Sequence, residues 1–123
     1  MDFIDDYVNK GRRKRMVEIL ASKGITDQRV LDVLNKVPRH FFFESGLQSN
    51  AYEDIAFPIG NDQTISQPYT VAYQTSLLDV KKRDKILEIG TGSGFQACIL
   101  SALGARVYSI ERQKVLFQQT HCY

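Results

Sequence analysis

The stretch Lys85-Ile86-Leu87-Glu88-Ile89-Gly90-Thr91-Gly92-Ser93-Gly94-Phe95, with Arg106-Val107-Tyr108-Ser109-Ile110-Glu111 after it, decides the fold. Lys85 to Ile89 reads as a strand and Gly90 to Gly94 as a tight loop. Phe95 to Leu103 reads as a helix with Phe95, Ile99 and Leu103 on one face, and Gly104 is its stop. Arg106 to Glu111 is a second strand. Strand, glycine loop, helix and strand in this order make a βαβ unit, with parallel strands and a right-handed crossover. Glycines after a parallel strand let the backbone turn sharply and come close to a ligand. The helix behind them offers free N–H groups at its N-terminus. Glu111, at the end of the next strand, is placed to accept hydrogen bonds from both hydroxyls of a ribose. The unit reads as a site for an adenosine-containing cofactor.

Spacing narrows the cofactor. The dinucleotide fingerprint G-x-G-x-x-G needs a third glycine at position 95, which is Phe95, and residues 1–84 precede a motif that usually opens a domain. A phosphate-binding loop ending in Gly-Lys-Ser/Thr is absent. What remains is acid-x-G-x-G-x-G, from Glu88 to Gly94, the pattern of doubly wound S-adenosylmethionine-dependent methyltransferases.

Upstream, residues 3–22 read as a helix with Met16, Val17 and Leu20 as its apolar stripe and Gly24 past its end. The run Arg12-Arg13-Lys14-Arg15 on it reads as a solvated face. Thr26 is a candidate cap for a second helix carrying Val30, Leu34 and Val37, which Pro38 ends. From Arg39 to Ser66 the chain is irregular and rich in aromatics that read as packing. Pro58-Ile59-Gly60-Asn61-Asp62 marks a turn flanked by a small hairpin. A third helix starts at Gln67-Pro68 and runs to about Asp79, with Val71, Leu77 and Leu78 expected inside. No linker divides the chain, so one domain is expected: a helical and irregular part over residues 1–66, and a helix with the βαβ unit over 67–123.

Composition agrees with a globular chain. It has 123 residues, 43% hydrophobic and 24% charged, with a net charge of +2. That excludes collagen-like and disordered classes, and no apolar run approaches the ~20 residues that span a bilayer. The balanced charge does not by itself imply a nucleic-acid or membrane partner, and neither is expected. The acidic start, Met1-Asp2-Phe3-Ile4-Asp5-Asp6, is unlike a signal peptide, which leaves the cytoplasm as the expected location. Cys98 and Cys122 have no metal-ligand spacing; Cys98 reads as a core residue among Ala97, Ile99 and Leu100. No metal site is expected.

Other segments identify a family. Val37-Pro38-Arg39-His40-Phe41-Phe42, Ala51-Tyr52-x-Asp54 followed by Pro58-Ile59-Gly60, Gln63-Thr64-Ile65-Ser66-Gln67-Pro68, the loop Leu87 to Gly94 and Arg106 to Arg112 occur in one order. Together they resemble the protein-L-isoaspartate O-methyltransferases, over about residues 12 to 112. The resemblance implies methyl transfer from S-adenosylmethionine to the free α-carboxylate of an L-isoaspartyl residue in a damaged protein or peptide. It makes Ser66 the active-site hydroxyl that contacts the substrate carboxylate, an orienting donor and not a nucleophile. The competing reading of Ser66 is a cap for the helix that follows. Gln63, Thr64 and Ile65 would line the cofactor, with Glu88, Gly90, Gly92, Gly94 and Glu111 as its other binding residues. The acceptor is already ionised at neutral pH, so His40, Tyr52 and Asp54 are expected to be structural, and His121 has no partner pattern.

The resemblance stops where the chain stops. The family's fold is a seven-stranded, mostly parallel sheet with helices on both faces, and this sequence supplies its first two strands. The expectation is a truncated α/β fold, an N-terminal helical part plus the first βαβ unit of a doubly wound, Rossmann-like sheet. A bare strand edge would invite self-association. Three rival functions stand beside the enzyme: an inactive fragment that keeps cofactor or peptide binding, a methyltransferase acting on nucleic acid, and a nicotinamide dehydrogenase.

Overall fold

The computed structural model describes residues 4–60 and 63–111. Helix α1 spans Tyr7–Ser22 and α2 spans Gln28–Leu34. Two short 3-10 turns follow at Arg39–Phe42 and Ser45–Asn50, then strands β1 (Phe57–Gly60) and β2 (Gln63–Ile65). Helix α3 (Pro68–Leu78), strand β3 (Lys85–Ile89), helix α4 (Phe95–Ala102) and strand β4 (Arg106–Ile110) complete the order.

Local chemistry sets the boundaries. The Asp6 side chain accepts the Asn9 N–H at 2.9 Å and caps α1, so the helix begins at Tyr7 and not at residue 3. Asp27, and not Thr26, caps α2 by accepting from the N–H groups of Arg29 and Val30. Proline opens α3 behind Gln67, which makes no side-chain cap bond. The hairpin pairs Phe57 with Ile65 and Pro58 with Thr64, antiparallel; its turn residues, Asn61 and Asp62, lie outside the described residues, as do His121 and Cys122.

The core is shared along the chain. Met16 and Leu20 of α1, Val30, Leu31 and Leu34 of α2, Ile65 of β2, Val71 and Ala72 of α3, and Phe95 and Ile99 of α4 form one buried cluster. A smaller one joins Val80, Leu100 and Ala105, with Ile86 and Val107 against it. Cys98 is buried as its neighbours predict.

Two expectations about faces need correction. Arg13 is not solvated like Arg12, Lys14 and Arg15 around it. It is buried, with Nε donating to the Asn35 carbonyl at 2.8 Å and the guanidinium pairing with Asp5 at 3.0 Å. Leu77 and Leu78 are exposed, because α3 turns Pro68, Val71, Ala72 and Thr75 inward at spacings of three and four. His40, Tyr52 and Asp54, expected to be structural, are each bonded to distant parts of the chain. His40 bonds Tyr52 Oη through Nδ1 and the Ile4 carbonyl through Nε2, each at 2.8 Å. Asp54 accepts the Tyr69 N–H at 2.8 Å and pairs with Lys23.

Strands β3 and β4 pair in parallel with Lys85 opposite Arg106 and Ile89 opposite Ile110. Ile86, Glu88, Val107 and Ser109 share the half-buried face. Leu87, Ile89, Tyr108 and Ile110 share the other, at 56–75% exposure. Among the described residues this sheet has two strands, so each strand keeps one edge without a ladder partner.

Candidate functional site

The glycine loop sits at the carboxyl ends of β3 and β4. Gly90, Gly92 and Gly94 have φ of +85°, +57° and +86°, a left-handed backbone that costs other residues energy. A Cβ at Gly90 or Gly92 would meet no atom within 4 Å, so conformation and not crowding demands glycine there. The loop is tied at its start, where the Gly90 N–H donates to the Ile110 carbonyl at 2.7 Å. At its end the Ser93 hydroxyl accepts the Phe95 N–H at 3.2 Å, beside the first turn of α4.

Each strand delivers a carboxylate to this loop. Glu111 Oε1 accepts the Gly92 N–H at 2.7 Å. Glu88 accepts the Ser109 hydroxyl at 2.6 Å. Burial pushes the Glu88 carboxyl above its ordinary value; the Ser109 hydrogen bond opposes that shift and the nearby Glu111 charge adds to it.

A cavity of about 270 Å³ opens between the loop, the hairpin exit and α3. Thr64, Ile65 and Ser66 form one wall, Glu88 to Ser93 the opposite one, and Val71, Gln74, Phe95 and Gln96 the sides. Of the residues expected in the site, Thr64, Ile65, Ser66, Glu88, Gly90 and Gly92 therefore meet around one space. Gly94, Glu111 and Gln63 are not among its walls. Gly94 is the N-terminal cap residue of α4, Glu111 reaches the loop through Gly92, and Gln63 is exposed on the hairpin opposite Gly60. Ser66 is exposed, and α3 is capped at Gln67 without a side-chain bond, so Ser66 is not its cap.

Sequence reasoning placed Val71 in the core and gave no site role to Val71, Gln74 or Gln96. The first two are three apart on the helix Pro68 opens, a spacing that puts them on one face. Arg39 is a further omission. It is 1% exposed, and it donates from Nε to the Ala51 carbonyl at 2.8 Å and from Nη2 to the Ser66 carbonyl at 3.0 Å. Its guanidinium lies 4.9 Å from the Phe95 ring centroid. Burial lowers its pKa to about 10, against the pull of Tyr52 and Asp54. Arg39 thus holds the backbone of the hairpin exit from behind the cavity wall.

Among the described residues there is no group of three His, Cys, Asp or Glu placed to hold a metal ion, and no helix is long and apolar enough to cross a membrane.

A glycine loop between parallel strands, with a helix crossing from one to the other, is the βαβ unit of a doubly wound α/β domain. The family model for protein-L-isoaspartate(D-aspartate) O-methyltransferase matches residues 11–122, and the chain belongs to that family. It is 52% identical over 119 residues to the protein-L-isoaspartate O-methyltransferase of Christiangramia forsetii, covering 97% of this chain and 56% of that one. It is 57% identical over 116 residues to that of Flavobacterium johnsoniae, covering 94% and 54%. Among solved structures, a protein-L-isoaspartate O-methyltransferase superposes with a TM-score of 0.76 at 27% identity, over 87% of this chain and 36% of that one. A Plasmodium falciparum structure described as a putative protein-L-isoaspartate O-methyltransferase in complex with S-adenosyl-L-homocysteine gives 0.71 at 26% identity, over 88% and 52%. The chain spans about half the length of the curated relatives it matches.

Proposed function

We propose that this chain carries the cofactor half-site and the acceptor-orienting hydroxyl of a protein-L-isoaspartate O-methyltransferase, acting on isoaspartyl residues of damaged proteins and peptides in the cytoplasm. The observation that carries this reading is the meeting of Thr64, Ile65 and Ser66 with Glu88 and the Gly90–Gly92 loop around one cavity. These residues suit S-adenosylmethionine. The loop backbone is open to close approach at Gly90 and Gly92, and two carboxylates stand at the strand ends. When bound, the cofactor supplies an activated methyl group on a positively charged sulfonium.

The chain's own residues do the rest. Glu111 holds the ribose hydroxyls, Gly90, Gly92 and Gly94 admit the methionine and ribose portion, and the Glu88 carboxylate faces its cationic end. Thr64 and Ile65, with Gln63 beside them, close the opposite side. Ser66 donates to the substrate carboxylate and fixes its direction. The acceptor arrives ionised, so no side chain takes a proton. Ile65, Val71 and Phe95 keep water from the wall, which favours a step in which opposite charges cancel.

Calorimetric titration of the chain with S-adenosyl-L-homocysteine, followed by methylation of an isoaspartyl peptide, tests this reading. Binding and transfer together support it, and absence of both from folded protein overturns it. A second reading is favoured by the bare apolar face of Leu87, Ile89, Tyr108 and Ile110. In that reading the chain binds cofactor or peptide without turnover and self-associates along the unpaired strand edge. Its signature is a dimeric mass in solution with S-adenosyl-L-homocysteine binding and no methyl transfer.

A further inference from the structure

Glu88 and Ser109 stand opposite each other in the register of β3 and β4. The Ser109 hydroxyl has one proton, and it is donated to Glu88 at 2.6 Å. In the contact between Ser109 Oγ and Thr91 Oγ1, Thr91 is therefore the donor. Two hydroxyl protons point in series at one carboxylate, an arrangement in which each bond strengthens the other. Thr91 lies between Gly90 and Gly92, whose left-handed backbone is the least restrained by its own residue type. The other residue on this face of β4, Val107, packs against the small apolar cluster, so Ser109 is the polar end of an otherwise apolar face.

We propose that Ser109 is a positioning residue: its hydroxyl ties the Glu88 carboxylate to Thr91 and so fixes both that carboxylate and the glycine loop where the cofactor meets them. The inference rests on Glu88 as a cofactor-binding group, as read above. Burial raises the Glu88 carboxyl and Ser109 opposes it, while Glu111 is the other charged group acting on it. Removing the hydroxyl therefore leaves Glu88 to protonate at higher pH.

Two measurements on the whole chain test this: the Glu88 carboxyl titration by carbon-13 NMR, and S-adenosyl-L-homocysteine affinity across the acid range. Ser109→Ala raises the Glu88 midpoint and weakens binding about tenfold, the scale of losing a hydrogen bond to a charged group, with the loss setting in at higher pH. Ser109→Thr keeps the hydroxyl and restores both. Thr91→Val, which removes only the outer donor, shifts the midpoint less and in the same direction. An unmoved midpoint and unchanged affinity in Ser109→Ala overturn the proposal, as does a loss that Ser109→Thr fails to rescue. A shifted midpoint in a chain that binds no S-adenosyl-L-homocysteine upholds the hold of Ser109 on Glu88 and overturns the cofactor reading instead.

Discussion

Two regions of this molecule place ionisable side chains beneath the surface, to opposite ends. Around α1, Arg13, Asp5, Tyr52 and His40 satisfy one another: the guanidinium bonds Asp5, Tyr52 Oη and the Asn35 carbonyl, and His40 joins Tyr52 to the Ile4 carbonyl. At the carboxyl ends of β3 and β4, Glu111 accepts the Gly92 N–H and Glu88 accepts the Ser109 hydroxyl, so both carboxylates are held against the loop and strand. A closed network suits stability, since every buried donor is spent within the protein. Carboxylates gathered beside a glycine loop suit a ligand that brings a positive charge of its own.

The sharpest way to break this contrast is to damage the closed network. Arg13→Ala strands Asp5, Tyr52 Oη and the Asn35 carbonyl together. It is expected to cost about 3 kcal/mol, the scale for removing one partner of a buried pair, read as a lower midpoint in denaturant unfolding. Below the new midpoint, S-adenosyl-L-homocysteine affinity should stay at the wild-type value; an affinity that falls with stability would mean the two regions are not separate.

Glu111→Ala is the counterpart in the open region. It should weaken S-adenosyl-L-homocysteine binding by about 1–3 kcal/mol, the scale for an unpaired hydrogen-bonding group, and leave the unfolding midpoint nearly in place. An unchanged dissociation constant removes Glu111 from the ribose site. Ser66→Ala is subtler. Its hydroxyl is exposed and caps nothing, so stability and cofactor affinity should both hold while methyl transfer to an isoaspartyl peptide falls. Equal loss of transfer and of binding would make Ser66 a cofactor residue.

The contrast also marks what could be read from the residues. The βαβ unit was legible because its pattern is local: an apolar strand, three glycines two apart, a helical stripe, a second strand. Glu88 and Glu111 came with it. The closed network was not legible, because the partners of Arg13 lie 8, 22 and 39 positions away, and a basic run looks the same whether or not one member turns inward. Leu77 and Leu78 misled for a related reason. Hydrophobicity states which side chains gain from burial, but only the rest of the fold supplies a cover. Arg39 was quoted as part of a motif, yet its hold on the Ser66 carbonyl depends on a hairpin folding back over a turn.

The smallest expected effect is in pH, and it separates the regions by sign. Burial would raise the Asp5 carboxyl, but the hydrogen bond and charge of Arg13, with His40 and Lys10, outweigh it and hold its pKa below 3.8. A depressed carboxylate stabilises the fold above its unfolded value and loses that contribution as pH falls through the folded one. Asp5 therefore weakens the protein only below about pH 3.8. Glu88 does the reverse: burial raises it above 4.5, so the folded state takes up its proton first, and acidification from neutrality stabilises the fold slightly as Glu88 neutralises. The same proton removes the negative charge offered to the cofactor. Between those two ranges the chain should unfold at higher denaturant concentration yet bind S-adenosyl-L-homocysteine less well, and Glu88→Gln should abolish both trends while Asp5→Asn leaves them intact. Stability and affinity that fall together on mild acidification would place the controlling group elsewhere than Glu88.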